Sequence, residues 1–108
     1  MRLEEKIWLE SIVRDLASPY LERDMYIPEM AIDILLRVAP FGIPDKHMLS
    51  TQEVAELLGV HPQKVRRLIW YGHLDAVKLV DRCEQIGRLR VPIGALLAYV
   101  IKNAVINR

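Results

Sequence analysis

The sequence has one cysteine, Cys83, one phenylalanine and five glycines among its 108 residues. A single cysteine cannot close a disulfide within the chain, which excludes the stapled folds of small secreted domains. No apolar run reaches the roughly 18 residues that a spanning helix needs. The most apolar stretch, residues 91–101, is shorter and is interrupted by Pro92 and Gly94. The first ten residues, MRLEEKIWLE, place acids where a signal peptide would be apolar. Neither a glycine-rich phosphate loop nor a nucleophile motif is present, so no catalytic constellation emerges and no enzyme is expected. His47, His61 and His73, even with Cys83, match no zinc-ligand spacing, so no metal and no cofactor are expected. The lone Cys83 reads as incidental. Repeats and low-complexity segments are absent. These absences lead to the expectation of a soluble protein that stays in the cytoplasm, with no membrane partner.

What is present is apolar and folded. Hydrophobic residues make up 52% of the chain, too many for disorder, and the length suits one core of modest size. The net charge of +1 conceals a division. Residues 1–46 carry six Lys/Arg and nine Asp/Glu, whereas residues 47–108 carry nine and five. A basic half within a nearly neutral chain points to a polyanionic partner on that half.

The pattern of residues divides the chain in the same place. Residues 2–17 read as an amphipathic helix with Leu3, Ile7, Ile12 and Leu16 inward, stopped at Ser18–Pro19. A second helix is expected from about Pro28, with Met30, Ile32, Leu35, Leu36 and Val38 as its apolar side. Pro40, Gly42 and Pro44 then mark residues 40–47 as a linker. Ser50 and Glu53 have the spacing of a capping box, so a third helix starts there, buries Val54, Leu57 and Leu58, and ends at Gly59. His61–Pro62 opens a fourth helix that runs to about Tyr71 and stops at Gly72. The stretches DAVKLV and GRLRV, residues 75–80 and 87–91, read as a β-hairpin around the loop DRCEQI, with Leu79 and Leu89 inward. A last helix follows from Pro92 to about Ile106, with Leu96, Leu97, Val100, Ile101, Ala104 and Val105 at helical spacing.

The fourth helix carries the functional signal. Advancing about 100° per residue groups Val65, Leu68 and Ile69 on one side. Gln63, Arg67 and Trp70 fall opposite, flanked by Lys64, Arg66 and Tyr71. A solvated helix face normally mixes both signs of charge, whereas this one has no acid. Arg forks onto guanine, Gln onto adenine, and Lys and Arg pair with phosphates. A short helix, a tight turn and a second helix form the arrangement that presents the second helix to the DNA major groove. Trp8 and Trp70 are read first as packing residues; the sharper reading of Trp70 is a stack on a base.

The run LSTQEVAELLGVHPQKVRRLIWYGHLDAVKL, followed by GRLRVP and a helix, resembles the excisionase-type, MerR-like winged helix-turn-helix domains of bacteria and their phages. The resemblance spans about residues 48–100. It implies a mainly α fold with a small β-hairpin wing, here preceded by an N-terminal helical extension over residues 1–46. It also implies double-stranded DNA as partner and work as a transcription regulator or recombination factor. By resemblance, Gln63, Lys64, Arg66 and Arg67, with Tyr71 on the same surface, take the recognition-helix role. Lys78, Arg88 and Arg90 take the wing role. The chain departs from the family in its longer wing loop, in Leu89 where an aromatic is common, in Asp75 where proline is common, and in Trp70–Tyr71, where polar or basic residues are usual. The rival reading is a protein-interaction module on the same scaffold. RNA is disfavoured, because an A-form major groove excludes a recognition helix. The acidic first 46 residues are expected to pack on the last helix and to help form a homodimer, the alternative being that they cap a monomer's core.

Overall fold

The computed structural model describes residues 2–23, 25–38, 48–79 and 88–106. The side chains of Leu79, Arg88, Ala104, Val105 and Ile106 are outside that description, as are the linker 40–47 and the wing loop with Cys83. The elements in order are α1 (Leu3–Ala17), a 3-10 turn (Ser18–Tyr20), α2 (Glu29–Val38), β1 (Met48–Ser50), α3 (Thr51–Leu58), α4 (Pro62–Trp70), β2 (Val77–Leu79), β3 (Arg88–Pro92) and α5 (Ile93–Ile106). The protein is mainly α, with a small antiparallel sheet of order β1-β3-β2. Among the described residues no helix is long and apolar enough to cross a membrane.

α5 is the axis of the molecule. Every residue from Ile93 to Val100 except Tyr99 is buried, and so is Ile101. A helix that is apolar on all sides must be wrapped by other elements. α1 and α2 supply part of the wrapping, and both pack on α5. One cluster of buried side chains therefore runs from Leu9, Val13 and Ala17 through Ile32 and Leu35 to Leu96, Leu97 and Ile101, and on to Leu49, Val54, Val65 and Val91. A glycine allows the closest approach. A Cβ on Gly94 would collide with the Leu16 carbonyl oxygen and would stand 3.0 Å from the Tyr20 ring.

Of the residues the spacing places inward on α1, Ile12 and Leu16 pack against the core, on the same side as Leu9, Val13 and Ala17, while Leu3 and Ile7 do not. Leu9, Val13 and Ala17 are buried, whereas Leu3 and Ile7 are 73% and 58% exposed. α1 has apolar residues on more than one side, and the side carrying small Ala17 is the one that lets its backbone reach Gly94 of α5. In α2 the inward residues are Ala31, Ile32, Ile34 and Leu35, while Met30 and Leu36 stay exposed. Trp8 and Trp70 are also exposed, which overturns their reading as packing residues.

The helix-turn-helix unit follows the sequence closely. The Ser50 hydroxyl accepts from the Glu53 N–H at 3.1 Å, and the Glu53 carboxylate accepts from the Ser50 N–H at 3.1 Å. This reciprocal pair fixes the start of α3. Gly59 has φ 69°, and the N–H groups of Gly59 and Val60 donate to the Glu56 and Ala55 carbonyls. α4 ends in the same two-bond closure. Gly72 has φ 79° and donates to the Ile69 carbonyl, and His73 donates to the Leu68 carbonyl. Both ends satisfy carbonyls that a helix otherwise leaves open.

Candidate nucleic-acid interface

The local chemistry around α4 fixes both its ends. Pro62 occupies a first-turn position, where its missing N–H costs nothing. The His61 ring accepts from the Gln63 N–H through Nδ1 at 3.1 Å, so His61 positions the helix start. Val65 is completely buried and Leu68 and Ile69 are partly buried against the core. These three anchor the helix on α3, its packing partner. On the α5 side, a groove of ≈ 200 Å³ is lined by Leu58, Val60, Lys64 and Leu68 together with Met30, Tyr99, Val100 and Asn103. α4 thus packs chiefly on α3, with its opposite side exposed.

The exposed side holds the residues expected there. Gln63, Lys64, Arg66, Arg67 and Tyr71 are all exposed, and Trp70 is exposed with them. No acid lies between Glu56 and Asp75, so the charged side chains of α4 are all cationic, with Gln63 and the two aromatics beside them. At 1.5 Å per residue, the nine residues of α4 present a ridge about 13 Å long, short enough to lie within one major-groove crossing.

The wing is present, but its basic residues are divided. In the β2–β3 ladder Val77 pairs with Arg90, Lys78 with Leu89, and Leu79 with Arg88. Directly opposed residues share a face of the sheet, and successive residues alternate. Lys78 therefore lies on the face of Leu89, while Arg90 lies on the other. The buried pair Leu49 and Val91 belongs to the Leu89 face. Leu89 is half-buried on that face, and the expectation for Leu79 lies outside the described side chains. Lys78 is exposed. Arg90 is half-buried in the central strand, and its guanidinium donates to the Leu89 carbonyl at 3.1 Å.

Sequence reasoning missed β1. It is three residues long and pairs only with the distant β3, Leu49 opposite Val91, so no local period announces it. Its role is to tie the start of α3 to the base of the wing. Among the described residues no group of three His, Cys, Asp or Glu side chains could hold a metal ion. None of their buried side-chain polar atoms lacks a hydrogen-bond partner.

The family model for the helix-turn-helix domain matches residues 48–104, from β1 into the last turns of α5. Comparison with curated proteins and with solved structures gave no match. The match covers more than half of the chain and contains the turn, the cationic helix and the wing. The chain belongs to the helix-turn-helix domain family, in its excisionase-like form, and its business is binding DNA.

Proposed function

We propose that the protein binds double-stranded DNA sequence-specifically, as a small transcription regulator or an excisionase-like factor that shapes DNA for recombination. The observation that carries this reading is the acid-free, exposed face of α4 standing on a buried Val65. In this mechanism α4 enters the major groove. Arg66, Arg67 and Gln63 read base edges, with Tyr71 beside them, and Lys64 with the wing residues Lys78, Arg88 and Arg90 neutralises phosphates. The chemistry is non-covalent throughout, and the place of action is the DNA of the cytoplasmic nucleoid.

The direct test is binding of the purified chain to duplex DNA at increasing salt. If three to five of the seven Lys/Arg between positions 64 and 90 contact phosphates, the slope of log K against log salt is about −3 to −4.5. Salt-independent binding, or none to any duplex, refutes the proposal and leaves the protein-interaction reading.

One helix and one wing span few base pairs, and helix-turn-helix proteins commonly gain specificity by pairing on two half-sites. We assign pairing to the first 38 residues. The inner sides of α1 and α2 are occupied on α5, so the pairing surface is their outer side, where Leu3, Ile7, Trp8 and Leu36 are exposed.

A further inference from the structure

Trp70 is the most exposed large hydrophobic side chain among the described residues, at 86%, and Tyr71 next to it is at 71%. An indole standing almost wholly in water has no role in the fold. We infer that Trp70, supported by Tyr71, is a wedge that inserts at a base step on the edge of the DNA site and kinks the duplex. This inference rests on the DNA-binding role proposed for α4.

Three features on the same surface select this partner. The first is charge. Arg66 and Arg67 lie four and three residues before Trp70, and Arg67 lies four before Tyr71, so both aromatics share a side of α4 with guanidinium groups. A surface that is cationic and aromatic together fits a partner that is polyanionic outside and offers flat apolar faces within. Stacked bases behind phosphates have both properties. Asp75, the nearest acid along the chain, lies beyond the closing turn and after buried Leu74.

The second feature is rigidity. A wedge must keep its position while it separates two stacked bases. Trp70 is the last residue of α4, and a helix end often frays. Here the end is locked: Tyr71 donates to the Arg67 carbonyl at 2.9 Å, Gly72 to Ile69 at 3.1 Å and His73 to Leu68 at 2.9 Å. Leu74, 2% exposed, pins the following turn into the core.

The third feature is place. Trp70 and Tyr71 stand where the chain leaves α4 for the wing, and Val77 at the start of β2 is also exposed, at 44%. On DNA the end of the helix meets the boundary between the base edges and the backbone, where a side chain inserted from the major-groove side parts a flexible base step and bends the duplex away from the helix.

The experiment uses the full chain and a duplex selected by it from a random-sequence pool, with dyes at the two ends to read the bend by energy transfer. Trp70→Ala should leave thermal stability unchanged, lower affinity about 10-fold or more, and straighten the DNA. Trp70→Phe should retain part of both effects. A mismatch at the kinked step, which removes much of the unstacking cost, should restore most of the affinity of Trp70→Ala. The salt slope should not change, because no phosphate contact is lost. Unchanged affinity and bend in Trp70→Ala overturn the wedge and give the aromatic pair to a protein partner. Weaker binding with an unchanged bend overturns it as well, because Trp70 would then be only a surface contact. If wild-type protein binds no duplex at all, the DNA-binding reading fails and the wedge fails with it. If wild-type protein binds with the expected salt slope and only the Trp70 effects are missing, the wedge alone fails.

Discussion

Replacing Gly94 with alanine separates packing from helix propensity, because the two act with opposite sign. Gly94 lies in the first turn of α5, where alanine favours the helix by about 0.5–1 kcal/mol. Its Cβ, however, would run into the Leu16 carbonyl oxygen, with the Leu16 carbonyl carbon and the Tyr20 ring both at 3.0 Å. A carbonyl of the α1 backbone cannot swing aside as a side-chain tip can, so α1 must lift away from α5. Overpacking of this kind costs about 1–3 kcal/mol. The expected net effect is a loss of about 1–2 kcal/mol, seen as a fall in Tm of roughly 5–10 °C. Calorimetry or denaturant unfolding of wild type and Gly94→Ala measures it. Adding Tyr20→Leu should not rescue the variant, because the carbonyl clash remains. DNA binding well below the Tm should be unchanged, since α4 is seated on α3. A Tm that rises by the few degrees propensity alone would give refutes the close approach of α1 and α5 at this point.

The remaining expectations concern the end of α4, its reading face and the assembly. Gly72→Val places a β-branched residue at φ 79° and should destabilise folding by roughly 2 kcal/mol in urea unfolding. Since a Cβ there meets no atom within 4 Å, Gly72→Asn should lose much less, and equal losses for both would mean that crowding is the cause. Arg67→Ala should cut discrimination between the best site and random DNA by about 1–3 kcal/mol, whereas Lys78→Ala should weaken both alike. An intact sequence preference in Arg67→Ala would move the reading face elsewhere. Light scattering of the full chain should give a dimer that Ile7→Glu dissociates, and a monomer at high micromolar concentration ends the pairing proposal.

Legibility in the sequence followed locality. The capping box at Ser50 and Glu53, the two left-handed glycines and Pro62 are instructions read within a few residues, and each appears where the spacing places it. The wheel of α4 was equally legible, because Val65, Leu68 and Ile69 are its only aliphatic residues and leave one choice of inward face. α1 offers more than one choice. Ile12 and Leu16 pack against the core beside Leu9, Val13 and Ala17, whereas Leu3 and Ile7 stay exposed, and Gly94, 77 residues after Ala17 in the chain, marks where α1 comes closest to α5. The wing register is of the same kind. Which residue of β2 stands opposite Leu89 depends on the pairing of two strands, which alternation within either strand cannot reveal.

The same distinction explains what the N-terminal helices are for. The helix-turn-helix match ends at residue 104, so it includes α5 but not the elements that cover one side of it. A chain this short cannot build two separate cores. α5 presents Ala95, Leu96, Leu97, Ala98, Val100 and Ile101 to the interior, and α1 and α2 pack on it from outside the matched region. A DNA-binding unit cut free of α1 and α2 would expose that side to water. The acidic first segment is therefore joined to the basic second one through a shared helix. α1 and α2 stabilise the platform through their inner faces. Anything they add to function has to come from their outer faces, where Leu3, Ile7 and Trp8 remain uncovered.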